Sequence, residues 1–154
     1  PCMPLKGATP ALPGARTGKS TDALFGTLDI GASIMKRAGL APFNGMQGRS
    51  FLPAIEGKET KGRDALLIEY GSQRPVPGGT PETLMRTLVT ERHRITYYRG
   101  VTWGELYDLV EDPNEMINLW DVPAAAKVKQ EMTEALLRET MSMAETSPHP
   151  KALA

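Results

Sequence analysis

The spacing of apolar positions changes character along the chain. Between Thr21 and Gly39, the residues Leu24, Leu28, Ile30, Ile34, Met35 and Ala38 recur near helical spacing. This predicts a helix over 29–38 with Asp29 as N-cap and Gly39 at the C′ position. Phe51–Ile55 is expected to add one further turn. The run Ala65–Tyr70 (ALLIEY) is continuous enough in apolar residues to read as a buried strand. Leu84–Thr90 and Arg94–Arg99 are two β-rich runs on either side of Glu91-Arg92-His93, which predicts a hairpin. Gly104–Leu109 adds a fourth strand, and Asp112-Pro113-Asn114-Glu115 carries proline at the second position of a type I turn. From Ala124 to about Ala144, Val128, Met132, Ala135, Leu136 and Met143 share one helical face. Glu131, Glu134, Arg138 and Glu139 lie mostly on the other, and Asp121 is available as a cap. The expectation is an α+β fold: an antiparallel sheet of about four strands packed on a C-terminal amphipathic helix, preceded by a helix and an extended segment.

The segments between these elements are rich in residues that interrupt regular structure. The first twenty residues hold four prolines and three glycines, the stretch GSQRPVPGGTPE three of each, and both read as irregular. The tail TSPHPKALA is expected to be frayed. Charge adds a second pattern. Lys+Arg and Asp+Glu are 18 each, and a neutral chain disfavours nucleic-acid binding, which draws on a positive excess. Residues 1–50 nevertheless hold six basic residues against Asp22 and Asp29. In the stretch 104–121 every charged residue is acidic (Glu105, Asp108, Glu111, Asp112, Glu115, Asp121), and it follows Arg86, Arg92, Arg94 and Arg99. Adjacent segments of opposite sign point to neighbouring strands that pair electrostatically.

Candidate chemistry is sparse. The single Cys2 excludes an intrachain disulfide and a multi-cysteine zinc site, and His93 and His149 are few for a metal centre, so no metal or other cofactor is expected. No apolar run is long enough to span a bilayer, and no signal peptide is evident. The compartment stays open, with the cytoplasm as the default, and no membrane partner is expected. Gly14–Ser20 resembles a phosphate loop, but Pro13 occupies the slot of its first glycine and has no N–H to offer a phosphate. His93, between Arg92 and Arg94, reads first as a hairpin residue. Asp108, Glu111, Asp112 and Glu115 lack the loop spacing of an EF-hand and read as a solvated acidic turn. The methionines of the last helix read as a core face.

A family resemblance changes this picture. Gly104-Glu105-Leu106-Tyr107-Asp108-Leu109, followed by Glu111-Asp112-Pro113-Asn114-Glu115 and Asn118-Leu119, resembles the C-terminal signature of sulfatases: Glu-Leu-Tyr-Asp-Leu, Asp-Pro-x-Glu, Asn-Leu, then a final helix. Leu28–Ile34 with Ala38-Gly39-Leu40 resembles the family's Asp-Ile-x-Pro-Thr-Leu … Ala-Gly-Leu element, with Ser33 in place of the usual threonine and Gly31-Ala32 in place of Ala-Pro. Gln47–Pro53 resembles its Gln-Gly-x-Ser-Leu-x-Pro loop, and Pro10–Gly18 the loop ahead of the helix. The four blocks stand in the family's order and cover about 10–145.

The resemblance implies a C-terminal portion of an arylsulfatase-like protein of the alkaline-phosphatase-like superfamily. Residues 1–60 would be a remnant of the large domain, 61–146 the C-terminal subdomain and 147–154 a flexible tail. The family's formylglycine cysteine, metal-binding acids and catalytic His and Lys lie ahead of Pro1, so no catalytic residue is assigned. Cys2-Met3-Pro4-Leu5-Lys6 matches the formylglycine signature only loosely, because lysine stands for its arginine. The expected role is structural and pocket-shaping. Arg92, His93 and Arg94 are the candidate substrate-binding residues, facing a sulfated or phosphorylated small molecule. One alternative is a stand-alone hydrolase of sulfate, phosphate or carboxylic esters that uses Cys2 or His93. Another is an anion-binding or oligomerisation module built on Arg92, Arg94 and Arg99. An apolar helix face (Leu28, Ile30, Ile34, Met35) without the large sheet to cover it implies a homo-oligomer formed through the 20–50 region.

Overall fold

The computed structural model describes residues 21–43, 45–58, 61–71 and 84–143. The Gly14–Ser20 stretch, the Pro10–Gly18 block, Cys2 and the tail with His149 lie outside the described residues. The chain divides into two compact units with the boundary between Arg63 and Asp64.

The first unit holds helices α1 (Leu28–Arg37) and α2 (Leu52–Ile55). The α1 C-terminus follows the sequence expectation. Gly39 adopts φ +73°, and its N–H and that of Leu40 reach the Lys36 and Met35 carbonyls, satisfying two groups the helix end leaves free. The N-terminus differs. Thr27 occupies the N-cap position, and Asp29 lies inside the first turn, fully buried. The inward face of α1 is Asp29, Ala32 and Ser33, whereas Ile30 and Ile34 are 47% and 63% exposed. The predicted apolar face is therefore not the buried one, because a polar network claims the inward side.

In that network the Asp29 carboxylate accepts from the Gly26 N–H at 2.9 Å, the Arg49 N–H at 2.7 Å, and Nε and Nη2 of Arg63 at 3.0 and 2.5 Å. Arg63 Nη2 also donates to the Gln47 carbonyl at 3.0 Å. Ser33 Oγ donates to the Asp29 carbonyl at 2.7 Å and accepts from the Phe51 N–H at 2.9 Å. Gly48 lets the loop lie against the helix. A Cβ there would stand 2.2 Å from the Leu28 carbonyl oxygen. Burial alone would raise the Asp29 pKa, but the Arg63 hydrogen bonds, the two backbone amides and the Arg63 charge outweigh it and hold the carboxyl below its ordinary value.

The second unit is an antiparallel sheet of β1 (Ala65–Gly71), β2 (Leu84–Thr90), β3 (His93–Tyr98) and β4 (Gly104–Asp108), in the order β1-β2-β3-β4, with α3 (Ala126–Ser142) against it. This is the expected α+β arrangement. The register sets Leu67 opposite Leu88, Leu88 opposite Ile95 and Ile95 opposite Leu106, so alternate residues of all four strands face α3. Leu88, Ile95 and Leu106 are fully buried there with Trp120, Met132 and Leu136. The opposite face carries the buried Thr87 and Thr96, whose hydroxyls bond at 2.8 Å.

The segment after β4 closes the β4 edge of the sheet. Asn118 Oδ1 accepts from the Leu106 and Trp120 N–H groups, and its Nδ2 donates to the Gly104 carbonyl, all at 3.0 Å. Trp120 then packs over Gly104 and meets Tyr97 edge-on at 4.8 Å, with Lys129 Nζ 3.7 Å from its ring centroid. A 3₁₀ turn at Pro123–Ala125 leads into α3, which Ala125 caps without a side-chain bond. Asp121 is thus not the cap: Pro123 starts the turn, and α3 begins five residues beyond Asp121. Among the described residues no helix is long and apolar enough to cross a membrane.

Two variants test this packing. A Cβ at Gly104 would lie 2.5 Å from both the Thr96 carbonyl oxygen and the Trp120 ring, so Gly104→Ala is expected to cost about 1–3 kcal/mol in urea unfolding. Asp29→Asn removes the carboxylate charge that the buried Arg63 pairs with and is expected to cost about 3–5 kcal/mol. Because the folded carboxyl titrates below the ordinary 3.8, its contribution is complete above that value and is lost as pH falls through the lower folded value. Thermal melts across the acid range should show this loss in the wild type and a flatter profile in Asp29→Asn.

Candidate functional site

The three predicted substrate-binding residues lie at the β2–β3 turn, and the structure divides them between two environments. Arg92 donates from Nε and Nη2 to one oxygen of Asp108, at 3.1 and 3.0 Å. His93, opposite Asp108 in register, places Nε2 3.7 Å from the same oxygen. The other Asp108 oxygen accepts from the Val110 and Glu111 N–H groups. The Arg92 hydrogen bonds, with these two amides, hold the Asp108 carboxyl below its ordinary value, and the pairing raises the Arg92 guanidinium in turn.

Arg94 points to the other face of the sheet, as alternation along β3 requires. Its Nη2 donates to Glu115 at 2.5 Å and lies 3.3 Å from Glu105; Nη1 donates to Thr96 Oγ1 at 3.2 Å; and the guanidinium stacks on Tyr107 at 4.9 Å. Its Nε is buried without a hydrogen-bond partner. Glu115, the last residue of the expected Asp112–Glu115 turn, donates its N–H to the Asp112 carbonyl at 3.0 Å and reaches Arg94 from a backbone at φ +56°. The basic and acidic segments thus pair across neighbouring strands, as their sequence order implies.

Beside Arg94 stands a group that the sequence reading did not single out. Tyr98 donates to Glu105 at 3.0 Å, and Trp103, about half exposed, packs on the Tyr98 ring at 4.9 Å. Burial and the Glu105 hydrogen bond push the Tyr98 phenol up to about 12, so it remains a hydrogen-bond donor at neutral pH. Arg63 was also missed. The available signal was Asp29 itself, a charge on the inward side of a helix, which needs a cationic partner somewhere in the chain.

Chemically, this end of the sheet holds positive charge already matched by carboxylates. Arg92 has the most open side chain of the three, 57% exposed. In the acidic turn, Asp112 Oδ2 accepts from the Ile117 N–H at 2.7 Å while Glu115 holds Arg94. Among the described residues no three His, Cys, Asp or Glu side chains are placed to hold a metal ion.

The comparisons with known proteins follow this architecture. No curated protein sequence matches the chain. In solved structures, a 2-O GAG sulfatase is similar with 27% identity and a TM-score of 0.69, over 84% of this chain and 28% of that one. The phosphonate monoester hydrolase of Agrobacterium radiobacter is similar with 26% identity and a TM-score of 0.61, over 76% and 25%. That of Silicibacter pomeroyi shares the fold, with 20% identity and a TM-score of 0.73 over 87% and 28%. The chain therefore spans about a quarter of the length of these structures. A family profile, N-sulphoglucosamine sulphohydrolase, C-terminal, matches residues 4–142. The chain belongs to this family of sulfatase C-terminal domains.

Proposed function

We propose that this chain serves as the C-terminal, sheet-bearing portion of a hydrolase of anionic esters, with sulfate esters as the leading class, and that it shapes and supports the substrate site without supplying the nucleophile. The observation that carries this reading is how the family signatures are used. Asp29, Ser33, Asp108, Asp112 and Asn118 spend their polar atoms on bonds within the chain. Residues used in this way position a scaffold. The similarity to a GAG sulfatase and to phosphonate monoester hydrolases supports an ester of a sulfur or phosphorus oxyacid as the substrate class. In this reading Arg92 and His93 meet such an anion, with Asp108 holding the Arg92 fork until a ligand competes for it, and Arg94 supports them from the other face of the strand.

The test is hydrolysis of aryl sulfates, phosphate esters and carboxylic esters by the purified 154-residue chain, with and without chelator. No turnover above background is expected; turnover that co-purifies with the chain would show a complete active site and overturn the reading. A titration with a sulfated monosaccharide is expected to show weak binding that added salt screens away and that Arg92→Ala reduces several-fold.

A further inference from the structure

At the end of β4, the acid and the base of one ion pair differ in their freedom to move. Asp108 lies opposite His93 in register, and only 14% of its side chain is exposed. Its Oδ1 accepts from the Val110 N–H at 3.1 Å and the Glu111 N–H at 3.2 Å. Arg92 reaches it from the β2–β3 turn with 57% of its side chain exposed, and gives both Nε and Nη2 to the other oxygen, Oδ2. A guanidinium on a long stem can follow a ligand away from the strand, whereas a carboxylate held by two backbone amides cannot. An anion that takes the Arg92 donors therefore stays beside the Asp108 charge.

Further negative charge surrounds the pair. Glu111 acts on the Arg92 guanidinium together with Asp108. Every charged residue of 104–121 is acidic, and Glu91 precedes Arg92 in the turn. Arg94, the next arginine along the chain, is held at Glu115 and Glu105. The Asp108 carboxyl, kept below its ordinary value by Arg92 and the two amides, is ionised throughout the neutral range.

The consequence depends on how much charge a ligand carries. Its first negative charge gains Arg92 and meets Asp108, and a second charge meets Asp108 and Glu111 again. At roughly 6 Å in solvent-exposed surroundings, each such like-charge pair weakens binding about threefold. A sulfate monoester carries a single negative charge, whereas a phosphate monoester carries close to two above about pH 7. We propose that Asp108, backed by Glu111, is the specificity-determining residue of this site: a fixed negative charge that keeps Arg92 for monoanionic esters and cancels the advantage a dianionic phosphate monoester has at an arginine. The assignment rests on Arg92 and His93 meeting an anionic ester, as proposed above.

Calorimetric titration of the 154-residue chain at about pH 8 in low salt tests the assignment, with phenyl sulfate and phenyl phosphate as ligands. The chains compared are the wild type, Asp108→Asn, Glu111→Gln and Arg92→Ala. Asparagine keeps an oxygen for the Val110 and Glu111 amides, and glutamine at 111 leaves the backbone bonds of the turn in place, so both variants should keep the wild-type circular dichroism spectrum. The wild type should bind phenyl sulfate at least as tightly as phenyl phosphate. Asp108→Asn should bind both more tightly, with the phosphate gaining about threefold more than the sulfate, and Glu111→Gln should shift the same ratio by a smaller factor. A residue that only shaped the turn would change both affinities alike. A wild type that prefers phenyl phosphate, or variants whose sulfate-to-phosphate ratio equals that of the wild type, would overturn the assignment, while binding lost in Arg92→Ala would leave the anion site standing. Absence of binding in every chain, or binding that Arg92→Ala leaves unchanged, would overturn the anion site and the assignment with it. Should Asp108→Asn fail to fold, the ratio in Glu111→Gln decides.

Discussion

A carboxylate with no access to water must find its hydrogen-bond donors inside the protein, and Asp29 finds four of them. They come from places far apart in sequence: the turn entering α1, the loop after it and Arg63 at the end of the unit. That requirement determines the local order of the first unit. It turns α1 so that Asp29, Ala32 and Ser33 face inward, draws the 47–51 loop against the helix through Gly48 and Ser33, and ties Arg63 to both. The exposure of Ile30 and Ile34 follows from the same rotation. Breaking a buried pair of this kind by removing one partner costs several kcal/mol, because the remaining charge stays in a medium that cannot solvate it.

The second unit solves a different problem, the exposed edge of a four-stranded sheet. An unpaired edge strand offers its N–H and C=O groups to any passing chain. Here Asn118 imitates a neighbouring strand against Gly104 and Leu106, and the Leu119 N–H adds a 2.8 Å bond to the Leu106 carbonyl. The bend that delivers Asn118 is the acidic turn held by Asp108 and Asp112. Trp120 then drops onto Gly104, the β4 position without a side chain. The signature residues of the 104–120 segment form a single device that ends the sheet, covers its edge and delivers the chain to the last helix.

Charge follows the same economy. The arginines of β2, β3 and the turn between them meet acids on the neighbouring strands and the acidic turn: Arg86 with Glu69, Arg92 with Asp108, and Arg94 with Glu105 and Glu115. A net charge of zero thus conceals a local matching strand by strand. It also explains why an arginine-rich hairpin in this chain differs from a bare anion-binding patch. A ligand at Arg92 must displace a carboxylate that neighbouring amides already hold in place.

Much of this was legible in the sequence. Periodicity located α1, the four strands and α3 to within a residue or two at most ends, because the core of the second unit is built from apolar residues alternating along strands and recurring along one helix. The glycine at the α1 C-terminus and the proline turn at Asp112 were equally plain, since backbone geometry confines those positions to few residue types. The side-chain partners were not. Asp29 is a favourable N-cap residue, Asp121 precedes a proline-started helix, and three basic residues in a row on a hairpin resemble one anion site. Only the tertiary structure decided that Asp29 turns inward to Arg63, 34 residues away, and that Asp108 takes Arg92 while Glu115 takes Arg94. Local sequence sets the period and the breaks of each element, whereas the direction in which a charged side chain is satisfied depends on which distant donor or acceptor the fold brings within reach.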